Sequence, residues 1–401
     1  ALQDEVPPLF IWSRMWHNSA KSSDERMKPL TDVMESISAA TVRLPRVALR
    51  RMLRLVRILS RLSHSPEYRQ QVYAQVPAMA RFDPGHDAVM MCYDFHLVDD
   101  WPRLIEVNTN AGGGLLAYLA QHPGAPAQAA ALTPKLKSRL LQTFATEIAG
   151  FSGGAQKKPA AIVILDETPE QQHLYVEMQA FADLFEDWGV PTTIADPEQL
   201  EAHAEGVRCG DRKIDLIYNR HCDFYLASDV MAGLREAYLN GTICLTPNPH
   251  MYGLLADKRR MLLWSDVALR SSWGLSAKDQ ALLDRVLPRI TLLADQDPEQ
   301  VWAARKELVF KPVDSYGSKG VLLGEKTTRK RFRQLPPETT LIQDFVPPNM
   351  TEVPGHEAMK TDFRLFAYRQ QALGITARLY RGQVTNMRTA GGGFAKVTLG
   401  P

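Results

Sequence analysis

The sequence predicts a mixed fold, in which a parallel α/β unit is combined with an antiparallel α+β region and with helices near the start of the chain. Residues 160–250 alternate short apolar strands with a helix, which is typical of a parallel, doubly wound sheet. From residue 308 onward, strands follow one another with turn residues between them, which indicates an antiparallel sheet. Residues 1–80 are predicted to be mostly helical, because 43–62 carries leucines at helical spacing.

The composition argues against several classes of protein. The chain has 401 residues, of which 23% are charged and 45% hydrophobic, with a formal net charge of +2. This balance is ordinary for a globular protein and does not indicate binding to nucleic acid or to an acidic membrane. No apolar run approaches the roughly 20 residues that span a bilayer. The four cysteines form no CxxC pair, so we expect free thiols and a cytoplasmic location.

A row of arginines follows one side of the helix predicted at 43–62. Its members are Arg43, Arg46, Arg50, Arg54, Arg57 and Arg61. A polyanion could bind such a row. A solvated face with salt bridges is the more usual outcome for charges in this pattern, and we adopt that interpretation.

Asp94, Glu106 and Asn108 form a predicted cluster of oxygen ligands on two strands joined by a turn at Asp99–Asp100. Side chains alternate along a strand, so Glu106 and Asn108 face the same way, and Asp94 on the neighbouring strand can complete the set. Two carboxylates and an amide suit Mg²⁺. The alternative is that they pair with Arg103 or other basic groups.

A lysine and a loop of small residues form a predicted phosphate site. Lys311 lies on an apolar strand, and the loop that follows contains Ser315, Gly317, Ser318 and Gly320. Backbone N–H groups in such a loop can point at phosphate oxygens, because glycine permits close approach. An ordinary glycine hairpin is the alternative. The pattern GxxxxGK[ST] is absent, so this is not a Walker A loop.

Arginines decorate the last predicted strands. The polar residues there are Arg364, Arg378, Asn386 and Arg388, and a glycine triplet at 391–393 follows them. Arginine can grip phosphate or carboxylate in a bidentate manner. The alternative is that these side chains edge a solvated sheet.

Taken together, the motifs resemble the ATP-grasp superfamily in their order. The matching positions are Asp257–Lys258, Lys311–Pro312, a hinge at Gln343, Asp344, Phe345 and Val346, Asp362 to Arg364, Arg378, and Asn386 before the glycine triplet. In ordinary members the metal-binding set comes last. Here it lies near the front, at Asp94, Glu106 and Asn108, which is the order of circularly permuted members that resemble glutathionylspermidine synthetase and eukaryotic glutathione synthetase.

The chain departs from the family pattern at two positions. Asp344 stands where the hinge usually has glutamate, and Cys92 stands where some relatives have an arginine two residues before the metal-binding aspartate. The resemblance covers roughly residues 90–400, and the N-terminal helices match nothing in it.

The resemblance implies an ATP-grasp fold of two α+β lobes, circularly permuted, with a parallel-sheet domain preceding the nucleotide lobe. It divides the chain into an N-terminal helical segment (1–85), a permuted part of the C-terminal lobe with the metal ligands (86–150), the parallel α/β domain (151–253), the nucleotide lobe (254–345) and the remaining strands of the C-terminal lobe (346–401).

The resemblance also implies a role for each site residue. Lys258 and Lys311 would hold the α- and β-phosphates, the loop 314–320 would close over the γ-phosphate, and the hinge would bind adenine. Asp94, Glu106 and Asn108 would hold one or two Mg²⁺. The remaining roles fall to Arg378 and Asn386 at the transferring phosphoryl group, Arg364 at a substrate carboxylate, and, as weaker candidates for the substrate, Arg220 and Arg388.

The activity implied is an ATP- and Mg²⁺-dependent ligase that joins a carboxylate to an amine through an acylphosphate. A small-molecule kinase of the same fold and a non-catalytic nucleotide-binding protein are the alternatives. Its partners would be small-molecule or peptide carboxylates and amines, with neither nucleic acid nor membrane, and a homo-oligomer remains open.

Overall fold

The computed structural model describes residues 36–122, 132–313, 320–383, 385 and 389–401. Within them the chain is a mixed α and β structure with both parallel and antiparallel sheets, as the sequence predicts. In chain order the strands are β1 (Ile37–Pro45), β2 (Met91–Val98), β3 (Trp101–Asn108), β4 (Ile162–Leu165), β5 (Thr192–Ala195), β6 (Leu200–His203), β7 (Gly206–Cys209), β8 (Arg212–Ile214), β9 (Leu216–Asn219), β10 (Cys244–Thr246), β11 (Ile290–Leu292), β12 (Leu308–Pro312), β13 (Leu322–Leu323), β14 (Thr340–Asp344), β15 (Asn349–Val353), β16 (His356–Tyr368), β17 (Gln371–Tyr380) and β18 (Gly393–Gly400).

Helices cover or connect these sheets. In chain order they are α1 (Arg46–Leu62), α2 (Pro66–Tyr73), α3 (Ala78–Arg81), α4 (Gly114–Gln121), α5 (Pro134–Phe151), α6 (Tyr175–Asp187), α7 (Ala232–Leu239), α8 (Pro249–Met251), α9 (Arg260–Ser265), α10 (Val267–Arg270), α11 (Ala277–Val286), α12 (Pro298–Ala304) and α13 (Arg329–Phe332). Among the described residues, no helix combines the length and apolar character needed to cross a membrane.

The largest sheet unites strands from both ends of the chain in the order β1-β18-β17-β16-β2-β3, with β15 paired to β16. The early hairpin β2–β3 turns at Asp99 and Asp100, both with positive φ, as a tight two-residue turn requires. Strand β2 pairs with β16 so that Asp94 lies directly opposite Arg364, 270 residues away. The strands that carry the predicted metal ligands therefore complete the sheet formed by the last strands of the chain.

The two faces of this sheet have different coverings. Tyr93 and Phe95 of β2 point into a core shared with helix α1, whereas Cys92 points into a second core shared with the parallel sheet. Because side chains alternate, Asp94 lies on the same face as Cys92. The face that packs on the parallel sheet at Cys92 therefore carries the polar side chain of Asp94 two residues further along β2.

Helix α1 confirms the helix predicted at 43–62 from Arg46 onward, and its buried face consists mainly of apolar residues such as Met52, Leu55 and Leu59. Two of the predicted arginines, Arg54 and Arg61, form ion pairs with Asp279 of α11 at 2.9 and 3.2 Å. This contact agrees with a salt-bridged face rather than a polyanion site.

The prediction that residues 1–80 are mostly helical is wrong for residues 37–45. They form β1, an edge strand parallel to β18. Its buried positions alternate at Ser38, Ala40, Val42 and Leu44. Two of these four residues, Ser38 and Ala40, are small, which weakened the two-residue period in the sequence. Residues 1–35 lie outside the described part of the chain.

Gly393 is the first residue of β18 and packs against the backbone of Ser36, just before β1. Its replacement by alanine should destabilise the protein by about 2 kcal/mol or more. Its φ is +96°, and a Cβ atom would lie 1.9 Å from the backbone oxygen of Ser36. Urea denaturation would measure the loss. Gly374→Ala is the matched control, because no atom lies within 4 Å of a Cβ there. Equal midpoints for the two variants would contradict the prediction.

The parallel unit has the strand order β10-β9-β4-β5, with every pairing parallel, as residues 160–250 predict. Aromatic rings of α5, α6 and β9 pack together above it, with Phe144 4.7 Å from Phe185 and 5.2 Å from Tyr218 between ring centroids. The same apolar core contains Phe366 and Phe394 of the largest sheet, so it attaches the parallel unit to that sheet. Residues 200–214, between β5 and β9, instead form a small antiparallel sheet, β6-β7-β8, which the sequence did not predict.

The third sheet has the antiparallel order β11-β14-β12-β13 and carries Lys311 on β12. Its core includes Phe310, Ile342 and Phe332. This sheet lies across a cleft from the largest sheet and provides the second wall of the candidate site.

Candidate active site

Asp94 is the centre of a buried charge cluster. Arg364 donates to both of its carboxylate oxygens, from Nε and from Nη2, at 2.7 Å each. Arg378 Nη2 lies 3.0 Å from Asp94 Oδ2, and its Nε donates to Asp362 at 2.6 Å. All four side chains are buried, and two carboxylates balance two guanidinium groups. Such compensation makes a buried cluster tolerable, because an unpaired buried charge is costly.

The cluster shifts the ionisation of its members. Burial opposes the charged form of Asp94, yet the guanidinium groups of Arg364 and Arg378 lower the pKa of its carboxyl to about 2. Burial likewise disfavours the charge on Arg364, but Asp94 raises the pKa of that guanidinium above its ordinary value. Both groups therefore stay charged throughout the physiological range.

Glu106 and Asn108 lie beside Asp94, as the strand pattern predicts. Asp94 is directly opposite Glu106 in the β2–β3 ladder, and Asn108 Nδ2 donates to both carboxylates at 3.2 Å. Glu106 is only half-buried. The arginines use the oxygens of Asp94, so Glu106 and the amide oxygen of Asn108 are the donors better placed for a cation.

These residues fit a hard cation in their chemistry, since carboxylate and amide oxygens are the ligands that Mg²⁺ prefers. In the described part of the chain, no group of three or more His, Cys, Asp or Glu side chains is arranged to hold a metal ion. A magnesium ion would therefore be held by Glu106 and Asn108, with its remaining positions filled by water and phosphate. That assignment stays a prediction.

Lys311 joins the two sheets at this point. Its Nζ donates to the backbone oxygen of Ile105, next to Glu106, at 3.1 Å, and to Gln343 Oε1 at 2.8 Å. Burial lowers the pKa of Lys311 to about 8, repulsion from Lys258 adds to this, and the carboxylates of Glu106 and Asp94 oppose it. A lysine that is only weakly stabilised as a cation gains from an added anion.

Lys258 lies outside both sheets, on the segment just before helix α9. Its Nζ donates to the backbone oxygen of Pro312, at the end of the strand that carries Lys311, at 3.2 Å. A turn of π-helix, Tyr252–Ala256, precedes it, and such turns are frequent at functional sites. Asp257 is buried and accepts from Tyr225 Oη at 2.7 Å, which anchors the start of this segment.

The predicted adenine hinge, Gln343 to Val346, borders the cleft, but the protein already uses several of its groups. The N–H of Asp344 donates to Arg289 O and that of Phe345 to Glu307 O, at 2.9 and 2.7 Å. Val346 O accepts from His96 Nδ1 at 2.8 Å. These three groups are not free for a base, so the adenine contacts remain a prediction for the other backbone groups of the hinge.

Apolar and charged side chains both line the cleft between the two sheets. The apolar ones include Val309, Val321, Leu323 and Phe345, and the charged ones include Asp94, Glu106, Lys311, Lys360 and Arg378. Such a lining suits a ligand that combines a planar ring with a negatively charged group and its cation.

Several predicted site residues lie outside the described residues, so the structure does not place them. These are Ser315, Gly317, Ser318, Asn386 and Arg388. Arg220 is described, and its side chain is 3% exposed and paired with Glu177 at 3.2 Å. That burial does not support the direct substrate contact predicted for it.

Sequence reasoning missed two participants. No sequence motif singles out His96, yet it lines the cleft and its Nδ1 donates to the hinge oxygen of Val346. Its spacing of two residues from Asp94 was the available signal, because such residues share a strand face. Glu177 carried no signal, since its helix shows an ordinary amphipathic pattern.

Comparisons with known proteins add little to this geometry. No family model matches the chain. No curated protein matches it at a significant level. Among solved structures, the protein named "Putative gamma-glutamylcysteine synthetase" from Methylobacillus flagellatus KT aligns with a TM-score of 0.46 at 12% identity, over 84% of this chain and 83% of that chain. A likeness this slight carries no argument about fold or activity.

Proposed function

We propose that this protein is an ATP- and Mg²⁺-dependent ligase that joins a carboxylate to an amine. The observation that carries the proposal is the hydrogen bond from Lys311 Nζ to Ile105 O, at 3.1 Å. It brings a lysine of one sheet beside Glu106 of another, although 206 residues separate the two partners. Cationic and oxygen-ligand groups then face the same cleft, which is the chemistry that a triphosphate with its magnesium requires.

The residues divide the work of phosphoryl transfer between them. Lys258 and Lys311 neutralise phosphate oxygens, and Arg378 lies where charge on the transferring group would be compensated. Bound Mg²⁺ would supply further neutralisation of phosphate charge. Positioning and charge compensation account for most of the catalysis in phosphoryl transfer, so the protein needs no covalent nucleophile.

The proposed reaction has two steps. A carboxylate oxygen of the first substrate attacks the γ-phosphorus, and the bond to the bridging oxygen breaks to release ADP. The amine nitrogen of the second substrate then attacks the acyl carbon of the acylphosphate, inorganic phosphate leaves, and the nitrogen loses a proton to form the amide. The ion pairs around Asp94 keep the arginines in place through both steps.

The test is ADP release from Mg·ATP against a panel of amino acids, short peptides and amines, with the product mass determined. We expect release to require both a carboxylate and an amine, and the product to have their summed mass less one water. Removal of divalent cations with EDTA should abolish release, and added Mg²⁺ should restore it. ADP with a phosphorylated small molecule and no amide would instead establish a kinase.

Calorimetry with Mg·ATP addresses the other alternative. We expect binding by the wild-type protein. If Mg·ATP did not bind, the proposed ligase activity would be refuted, and so would any other ATP-dependent activity.

A further inference from the structure

A buried carboxylate from the parallel unit holds the loop that follows the oxygen-ligand strand. Glu177 of α6 is 2% exposed. Its carboxylate accepts from the N–H of Gly113, at 2.9 Å for the nearer oxygen, and from the N–H of Leu115 at 2.7 Å. These N–H groups lie at the start of helix α4, where unpaired donors and the helix dipole favour a negative charge. The loop Gly112–Leu115 thus closes around a side chain of the protein itself.

Arg220 completes the electrostatic balance of this contact. It follows strand β9 directly, and its backbone N–H donates to Leu165 O at 2.8 Å. Its Nη1 lies 3.2 Å from Glu177 Oε2, with both side chains almost fully buried. The guanidinium therefore serves as the counter-ion of the buried Glu177 carboxylate.

A second tether joins the same two segments. Asn110 Nδ2 donates to His221 O at 2.8 Å, and Asn110 has a φ of +54°, a conformation that asparagine tolerates better than most residues. The loop after β3 is therefore attached to the parallel unit at Glu177 and again at His221. Neither tether depends on the other for its donor or acceptor.

The loop packs too closely against its neighbours to accept a side chain at Gly112 or Gly113. A Cβ atom on Gly112 would lie 2.1 Å from Arg220 Nη2, and one on Gly113 would lie 2.4 Å from the ring of Phe394. On its other side, the backbone oxygen of Gly112 accepts from Arg364 Nη1 at 3.4 Å. The same arginine binds both oxygens of Asp94. A displacement of the loop would therefore reach the centre of the candidate site through one side chain.

We propose that Glu177, Arg220 and Asn110 are positioning residues that hold the Gly112–Leu115 loop and, through Arg364, set the place of Asp94. The effect on catalysis rests on the proposed ligase activity. The function of Arg220 is then to fix the loop, in place of the substrate contact predicted from the sequence. Through this loop, the parallel unit keeps the side chains of the phosphoryl-transfer site in position.

The test compares Glu177→Gln and Asn110→Gly with the wild type. We expect kcat to fall about 100-fold for Glu177→Gln, because small displacements of reacting groups have costs of this order. The dissociation constant of Mg·ATP should change less than about 3-fold, since the described hydrogen bonds of Lys258 and Lys311 go to Pro312, Ile105 and Gln343, outside this loop. Asn110→Gly keeps the positive φ and should lower kcat in the same direction by a smaller factor.

Glu147→Gln is the matched control for the loss of a buried glutamate. Glu147 is fully buried and accepts from Tyr368 Oη, Thr246 Oγ1 and His86 Nδ1 at 2.6 to 2.9 Å, but it does not touch the loop. Its kcat per folded molecule should stay within about 3-fold of the wild type. If Glu177→Gln does not fold, the double variant Glu177→Gln/Arg220→Met, which removes both charges together, replaces it with the same expected loss of kcat.

Hydrogen exchange of a peptide covering residues 104–116 gives a readout that needs no turnover. Glu177→Gln should speed the exchange of the Gly113 and Leu115 amides and of the β3 amides, whereas Glu147→Gln should not. If the wild type turns over no ATP, the ligase proposal fails, and the exchange experiment still decides whether the loop is held in this way. Unchanged exchange and unchanged kcat in the folded loop variants would overturn the positioning role. So would an Arg220→Met variant that changes only the KM of the carboxylate substrate.

Discussion

Replacement of Asp94 by asparagine is expected to destabilise the protein by about 3–5 kcal/mol, as well as to abolish ATP turnover. Asp94 is 1% exposed, and its carboxylate is the shared counter-ion of Arg364 and Arg378. An amide of the same shape carries no charge and presents an NH₂ group to guanidinium donors. Arg378 would keep its ion pair with Asp362, whereas Arg364 would remain buried after losing the carboxylate that binds its Nε and Nη2.

Glu106→Gln is the matched comparison for Asp94→Asn. Glu106 is half-buried and accepts one hydrogen bond from Asn108, at 3.2 Å, so its loss should cost no more than about 1 kcal/mol. Its turnover should nevertheless fall by about 100-fold or more if it holds the metal ion. Chemical denaturation and ADP release separate the two roles. An Asp94→Asn protein with the denaturation midpoint of the wild type would show that the arginines do not depend on this carboxylate.

Lys311→Met is expected to lower turnover by about 100- to 1,000-fold while leaving the protein at least as stable at pH 7. The methionine side chain has a similar length and no charge. Burial of the ammonium group lowers the pKa of Lys311 to about 8, so the fold holds this charge at a cost. Removing this charge should raise the free energy of unfolding. Loss of the hydrogen bonds to Ile105 O and Gln343 Oε1 should lower it by about 1 kcal/mol for each bond. Lys306→Met, on the exposed turn before the same strand, is the control that should leave both properties unchanged.

The lowered pKa of Lys311 predicts how the stability of the protein changes with pH. An unfolded lysine keeps its ordinary pKa of 10.5, whereas the folded value is about 8. Between these values the unfolded chain binds more protons than the folded chain, so stability rises with pH across this window. Below pH 8 both states are protonated, and the cost is fully present. Wild type measured in EDTA should therefore gain stability relative to Lys311→Met between about pH 8 and 10.5. If the stabilities of the two proteins changed equally with pH, the lowered pKa of Lys311 in the folded protein would be contradicted.

The elements with a clear local pattern were predictable. Residues 160–250 have short apolar runs separated by a helix, and the structure forms them into a parallel sheet. The strands around Asp94 and Glu106 followed from alternation, and the turn between them from two adjacent aspartates, both with positive φ in the structure. In each case the decisive physics is local, because side-chain period and turn chemistry act over a few residues.

The partners of these residues were not predictable, because they depend on contacts between distant segments. The sequence alone determined that Asp94, Glu106 and Asn108 would share a strand pair, and that Lys311 would lie on an apolar strand. Only the tertiary structure decided that Asp94 would be held by two arginines of the last strands, that residues 37–45 would join the sheet as a strand, and that Arg220 would be buried against Glu177. Buried charges take whichever counter-ions the packed chain brings within reach, and a residue pattern does not encode that distance.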